Sequence, residues 1–190
     1  MSTFVIADIH NRYEALGQCI ERSGIDREKD TLISLGDLCD GPFTGTREVL
    51  DTLHTFKNFI LCAGNHDRWF IDWVKTGIEL PLHIHQGGYF SLLSYDFDRR
   101  NVPWYHLEML ESAVPYYIDK SNNLYVHGGF DERYPIEEQD PEDIMWNRDL
   151  VYKQCLVGAK PLSKYNRVFF GHSSTQGIMS DWGFTKPSIS

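Results

Sequence analysis

Three features of the sequence predict an α/β fold with its chemistry gathered at the carboxyl ends of its strands. Short apolar runs alternate with stretches of helical spacing over the first third of the chain, which is the βαβ pattern of a sheet covered on both faces. Each run stops at a cluster of Asp, Asn or His, and in open α/β sheets ligands bind at the carboxyl ends of the strands. The 190 residues, 42% hydrophobic and 24% charged, suffice for one domain with a full core, 1–190, without a boundary, a repeat or a linker.

Thr3 to Ala7 (TFVIA) reads as the first buried strand and ends in Asp8-Ile9-His10. Asn11 followed by Glu14 has the form of a helix N-cap with its reciprocal partner. Tyr13, Leu16 and Ile20 keep helical spacing until Gly24 stops the helix. Thr31 to Leu35 (TLISL) is the second strand and runs into 36-GDLCDGP-42. Val49, Leu50, Leu53 and Phe56 mark the next helix. Phe59 to Ala63 is the third strand, ending in Gly64-Asn65-His66-Asp67, and a helix through Trp69 and Trp73 follows up to Gly77. Residues 77–102, with 83-HIHQGG-88 and 95-YDFDRRN-101, read as loops and short helices. Pro103 opens a helix through Leu107 and Leu110. The segments 116-YYIDK-120 and 124-LYVHG-128, joined by Ser121-Asn122-Asn123, form a β-hairpin. Asp140 caps a helix that Pro141 starts and that runs through Trp146; 167-RVFF-170 is a last strand ending in 171-GHSS-174.

The net charge of −9 disfavours nonspecific binding to nucleic acid or to an anionic membrane. It does not disfavour a phosphate substrate, because bound divalent cations reverse the local field. The four cysteines, Cys19, Cys39, Cys62 and Cys155, form no C-x-x-C pair and read as reduced thiols of a cytoplasmic protein. No basic segment precedes an apolar run at the N-terminus, and no apolar run approaches the roughly 20 residues of a membrane span.

The strand ends collect Asp8 and His10; Asp37 and Asp40; Asn65, His66 and Asp67; His127; and His172. Taken singly, each passes as a turn residue, a helix cap or a loop histidine. Five strand ends carrying the same chemistry in the same polarity point instead to a shared ligand. Carboxylates and imidazoles suit manganese, iron or zinc. A strand's period of two puts Asp8 and His10 on one side, an aspartate can bridge two ions through its two oxygens, and Asn65 adds a neutral oxygen beside a crowded anionic pair. The set is too large for one zinc and suits two divalent ions.

In order along the chain, D-x-H, G-D-x-x-D, G-N-H-D, an apolar strand then H-G, and an apolar strand then G-H-S span residues 8 to 172. In these motifs the chain resembles the calcineurin-like metallophosphoesterases, nearest the bacterial and phage branch of the serine/threonine phosphoprotein phosphatases. The resemblance implies a four-layer α-β-β-α sandwich and two divalent metal ions, manganese foremost. Residue by residue, it implies that Asp8 and His10 hold the first metal, that Asp37 bridges, and that Asn65, His127 and His172 hold the second. His66 then matches the catalytic acid, Asp40 the carboxylate that orients it, and Arg148, in 146-WNRD-149, a phosphate-binding arginine. The implied reaction is in-line attack of a metal-bridging hydroxide on a phosphomonoester. No Cys or Ser sits in a nucleophile motif, so no phosphoenzyme is expected. Asp67 is expected to brace its loop.

Two departures qualify the match. The phosphatase pattern is G-D-x-x-D-R-G, whereas Gly41-Pro42 follow Asp40 here, so one phosphate-binding arginine is missing; Arg12, Arg47 and Arg68 are near enough in sequence to substitute. The family continues past G-H-S with further strands, whereas this chain ends at 187-PSIS-190, so the sheet is expected to lack its C-terminal strands. Residues 77–102 carry no metal-type motif and are expected to cap the site, with His83, His85, Tyr89 and Tyr95 either contacting substrate or merely packing. The expected substrate is a phosphorylated protein or a small phosphoester, with neither nucleic acid nor membrane as partner. The alternatives are a hydrolase of dinucleoside polyphosphates or other nucleotides, and a metal- or phosphate-binding regulator without turnover.

Overall fold

The computed structural model describes residues 1–157 and 164–174. Strands β1 (Thr3–Ile6), β2 (Thr31–Ser34) and β3 (Asn58–Leu61) form a parallel sheet in the order β1-β2-β3. Helix α1 (Tyr13–Ser23) crosses from β1 to β2, and α2 (Thr46–His54) crosses from β2 to β3. The first polar residue of each cluster stands two to four residues beyond the end of its strand, so the clusters gather along one rim of the sheet. Helix α3 (Asn65–Thr76) follows, then two short helices, α4 (Pro81–His83) and α5 (Tyr89–Leu93), and α6 (Trp104–Glu111). In the second sheet β4 (Tyr116–Ile118) pairs antiparallel with β5 (Asn123–Val126), and β5 pairs parallel with β6 (Arg167–Phe169). Helices α7 (Pro141–Trp146) and α8 (Asp149–Val157) lie between β5 and β6 in the chain.

Three apolar clusters define the layers. Leu16, Val49, Leu50, Leu53, Phe70 and Trp73 bury the helices against one face of the first sheet. Ile33, Leu35, Cys62 and Tyr125 are buried where the two sheets meet, and there the Tyr125 and Phe169 rings stack with centroids 4.9 Å apart. Leu124, Val126, Ile136, Ile144 and Leu150 close the outer face of the second sheet against α7 and α8. The result is the expected four-layer α-β-β-α sandwich. The stretch 187-PSIS-190 and the side chain of Cys155 lie outside the described residues, whereas Cys39 and Cys62 are buried free thiols and Cys19 is an exposed one. No helix among the described residues is long and apolar enough to cross a membrane.

Several local expectations hold. Gly24 and Gly77 end α1 and α3 in the left-handed conformation, and the Asp140 carboxylate accepts from the Glu142 N–H at the start of α7. Asn11 does otherwise. It is fully buried at φ 62°, its amide donates to the Phe43 carbonyl, and its Oδ1 accepts from the Thr46 hydroxyl at 2.7 Å. Arg12 takes the capping position instead, so Asn11 ties the loop after β1 to the start of α2.

One polar chain runs into the helical layer from exposed Asp51. The Tyr95 hydroxyl lies 2.9 Å from His106 Nδ1, and His106 Nε2 lies 2.8 Å from Asp51 Oδ1. A carboxylate only accepts, so Nε2 carries the proton and Nδ1 accepts from Tyr95. Tyr95, expected either to contact substrate or to pack, is buried and packs, with Arg47 over its ring at 4.6 Å. Tyr95→Phe leaves a buried imidazole nitrogen without its donor. It is expected to destabilise the fold by about 1–3 kcal/mol in urea unfolding; an unchanged midpoint would refute this account of the chain.

Candidate metal centre

The loops that follow β1, β2, β3, β5 and β6 converge on Asp37. This aspartate is 2% exposed and sits at φ 54°. Its Oδ1 accepts the backbone N–H of His66 at 3.0 Å, in the first turn of α3, where a helix amide has no partner within the helix. Its Oδ2 lies 3.3 Å from His127 Nε2 and 3.7 Å from His10 Nε2. The approach depends on glycine: a Cβ on Gly64 would overlap the Asp37 amide nitrogen, and one on Gly36, at φ 95°, would lie 2.7 Å from Gly64 Cα.

Asp8 and His10 reach this point by a route other than the expected strand alternation. Strand β1 ends at Ile6, and both residues stand in the loop beyond it in left-handed backbone, at φ 52° and 46°. Asp40 at 63° and His172 at 62° do the same, so with Asn11 and Asp37 six of the nine non-glycine residues at positive φ among the described residues lie in the loops around the site. Such backbone persists only where its surroundings hold it in place, and it clusters at ligand-binding positions. Asn65, His66 and Asp67, read from sequence as the loop before a helix, form the first turn of α3.

The donor set fits divalent cations. His127 Nδ1 donates to the Leu35 carbonyl at 2.7 Å, and its Nε2 faces Asp37 Oδ2 and, at 3.1 Å, Asn65 Oδ1, where it would turn a lone pair to a bound cation. His10 likewise donates Nδ1–H to the Asp40 carbonyl at 2.8 Å and turns Nε2 toward Asp37. Imidazole ligands are oriented in this way by their second nitrogen. His172 Nε2 is buried with no hydrogen-bond partner. The Asp8 carboxylate accepts the His172 N–H at 2.9 Å. Two groups of candidate ligand atoms lie within 4.8 Å of one another, His10 with Asp37 and His66, and Asp37 with His127 and His172. Asp37 belongs to both, as a bridging carboxylate would.

Electrostatics separate these groups. Burial raises the Asp8 carboxyl above its usual value, whereas burial together with the charges of His127 and Arg148 pushes His172 down to about 4. Burial also acts to raise Asp37, but the neighbouring imidazoles, His127 foremost, outweigh it and hold the carboxyl low. For His66, burial opposes the charge, but the Asp40 hydrogen bond and the nearby carboxylates outweigh it and raise the pKa.

His66 Nδ1 lies 2.9 Å from Asp40 Oδ2, and Asp40 is fully buried. Asp67 accepts the amides of Leu38 and Cys39 through Oδ1 at 2.8 and 3.0 Å, so it braces the loop after β2 as expected. Its other oxygen is buried without a partner, and burial, followed by repulsion from Asp37, raises its pKa to about 7. Arg148 donates through Nη1 to the His172 carbonyl at 3.0 Å and lines a groove of about 680 Å³ with Trp146 and Tyr134. Of the three candidate replacement arginines, Arg12 lies over the Phe43 ring and Arg47 over Tyr95, whereas Arg68 lines a cleft of about 220 Å³ with Asn65, Trp69 and Trp146.

The sequence left His83 open between a substrate contact and packing, without its partner Asp40, and gave Trp69 and Trp146 no role in the site. His83, 1% exposed, brings Nε2 to 3.1 Å from Asp40 Oδ1. Trp69 stands 5.0 Å from the His66 ring and 5.4 Å from Trp146, which in turn is 5.7 Å from His172. The pair 87-GG-88 was the available signal for His83; the tryptophans had none beyond their position beside the motifs.

The absent arginine also has a structural explanation. A Cβ on Gly41 would overlap the carbonyl oxygen of His10, and Gly87, at φ 103°, packs directly on the Gly41 backbone. Gly41→Arg is therefore expected to destabilise the protein by about 1–3 kcal/mol, a fall of roughly 2–4 °C in Tm per kcal/mol. By displacing His10 it should also weaken manganese binding in a titration. A variant matching the parent in both measurements would contradict the packing described.

Comparison with known proteins agrees with this geometry. Serine/threonine-protein phosphatase 2 of Salmonella typhimurium is 26% identical over 175 residues, 89% of this chain and 78% of that protein. The symmetrical bis(5'-nucleosyl)-tetraphosphatase of Buchnera aphidicola is 39% identical over 69 residues, which cover 35% of this chain and 24% of that protein. The crystal structure of a putative diadenosine tetraphosphatase superposes with a TM-score of 0.63 at 19% identity, covering 92% of this chain and 76% of that one, and so shares its fold. The profile of the calcineurin-like phosphoesterases matches residues 1–186, and the chain belongs to that family of metal-dependent phosphoester hydrolases.

Proposed function

We propose that the protein hydrolyses phosphomonoesters of the phosphoserine and phosphothreonine type. In this reading Asp8, His10, Asp37, Asn65, His127 and His172 hold two divalent cations, manganese first and iron or zinc as the other candidates. The observation that carries it is the buried Asp37 carboxylate, which faces His10 Nε2 and His127 Nε2, beside a histidine held by a second buried carboxylate. When bound, the cations supply Lewis acidity that activates water and draws charge from the phosphate.

The protein's own groups do the rest. Asp40 fixes the His66 ring through Nδ1 and favours its protonated form, leaving Nε2 to give a proton to the departing alkoxide. Arg148, one arm anchored on the His172 carbonyl, offers its remaining N–H donors to the phosphate oxygens. An oriented acid serves turnover, which argues against a regulator that only binds. Residues 77–102 cap the site, since His83 reaches Asp40 from within them.

A nucleotide substrate is the second reading, favoured by the Trp69–Trp146 pair beside His66. Stacking of a base on such a ring contributes roughly 1–3 kcal/mol.

The tests use the metal-stripped chain resupplied with manganese. Phosphoserine and phosphothreonine peptides should turn over only with metal, and His66→Asn should lower kcat by about 10²–10⁴-fold while manganese affinity holds. Metal-independent turnover, or a variant within threefold of the parent, would sink the first reading. Trp69→Ala should leave phosphopeptide kinetics nearly unchanged. If instead diadenosine tetraphosphate is the better substrate and Trp69→Ala raises its KM about tenfold or more, the nucleotide reading stands.

A further inference from the structure

Asp40 holds two histidines. His66 lies on one side of its carboxylate, and His83, from α4, lies on the other, with Nε2 3.1 Å from both oxygens. The carboxylate is fully buried and its own backbone N–H donates to Ser91 Oγ at 2.8 Å. The segment around His83 is built to deliver this contact. After Pro81–His83 the chain makes a wide turn over Ile84–Gly88, in which Gly87 takes φ 103° and presents only backbone to its surroundings. The Gly87 carbonyl accepts the Gly41 N–H at 3.3 Å, next to Asp40 itself. Gly88 lies against the His83 ring, where a Cβ would overlap the imidazole. One glycine thus docks the turn on the Asp40 loop, and the other leaves room for the ring.

We propose that His83 is a positioning residue for the proposed acid: it donates Nε2–H to Asp40 and holds that carboxylate in the rotamer that presents Oδ2 to His66 Nδ1. The inference rests on the phosphomonoesterase reading for its kinetic consequence, but the hydrogen-bond pattern stands apart from it. A carboxylate only accepts, so His83 must carry its proton on Nε2. Without His83, Asp40 keeps one partner and is at liberty to rotate about its terminal torsion, which is broad. The imidazole of His66 then loses its orientation while the six proposed metal ligands keep their own contacts. Removing a partner that orients a metal-binding imidazole typically costs about 10–100-fold, and a loss of the same order is expected for this one. The loss should depend on the leaving group, since an acid matters most where the departing oxygen is a poor leaving group.

The test compares the parent with His83→Leu, which keeps the bulk without the donor, and His83→Gln, whose amide can reach the same carboxylate. With manganese, His83→Leu should lose about 10–100-fold in kcat on an alkyl phosphate. On p-nitrophenyl phosphate it should lose less than threefold, at unchanged manganese affinity, and His83→Gln should recover most of the alkyl activity. Equal losses on both substrates, or no loss, would overturn the proposal. Imidazole nitrogen NMR of the metal-free protein gives a readout without turnover. The parent should show His83 protonated at Nε2 and a slowly exchanging His66 Nδ1–H that His83→Leu loses. A parent His83 bare at Nε2 overturns the proposal even if His83→Leu fails to fold. If the parent turns over no phosphoester, the reading of function fails while the NMR still decides the role of His83.

Discussion

A single buried carboxylate sets the terms for the rest of the molecule. Asp37 is out of water, and an isolated charge there would be prohibitively costly. It persists because a helix amide, two imidazoles and a backbone packed by Gly64 surround it. Those partners come from both sheets: His10 and His66 from the first, His127 from the second. The two halves of the sandwich therefore meet twice, once as an apolar interface around Ile33, Leu35, Cys62 and Tyr125, and once at a polar rim around Asp37. The apolar interface fixes how the sheets face one another, and the rim fixes where along the strands they register. A shift of one residue in β2 would turn Ile33 away from that interface and carry the loop that holds Asp37 out of register.

Much of this was legible in the sequence because strands and their terminal loops are local features. An apolar β-branched run ending in G-D or G-N-H-D needs no tertiary information to be noticed, and all six strands lie where those runs are. The hairpin at Asn122, the glycine stops of α1 and α3, and the Asp140 cap follow from backbone chemistry within a few residues. The ligand set was visible for the same reason: each member lies within four residues of the end of a strand.

What escaped the sequence depends on contacts between distant segments. Asn11 looks like a cap because Glu14 stands three residues on, yet a partner 35 residues away, Thr46, wins its side chain. Asp8 and His10 were expected on one side of a strand, whereas the left-handed backbone that places them is invisible in residue types that favour it only weakly. His83 lies 43 residues from Asp40, in a segment without helical or strand periodicity, and only the folded turn brings the two together. The missing arginine could be seen as a gap in a motif. That Gly87 lies against that gap could not, because it is a statement about volume.

The left-handed residues around the site bear on how such a protein can change. A non-glycine residue in that conformation costs roughly 1–2 kcal/mol relative to ordinary backbone, less for Asp and Asn. Glycine would be the more comfortable choice at Asp8, His10, Asp37, Asp40 and His172 on backbone grounds alone. Any selection that rewards only thermal robustness therefore pushes these five positions toward the residue that would erase the site. A lineage or a laboratory library screened for solubility and heat resistance would drift toward a well-folded shell of the same architecture with no ligands in it. Continued demand for whatever the site does is the force that keeps side chains there.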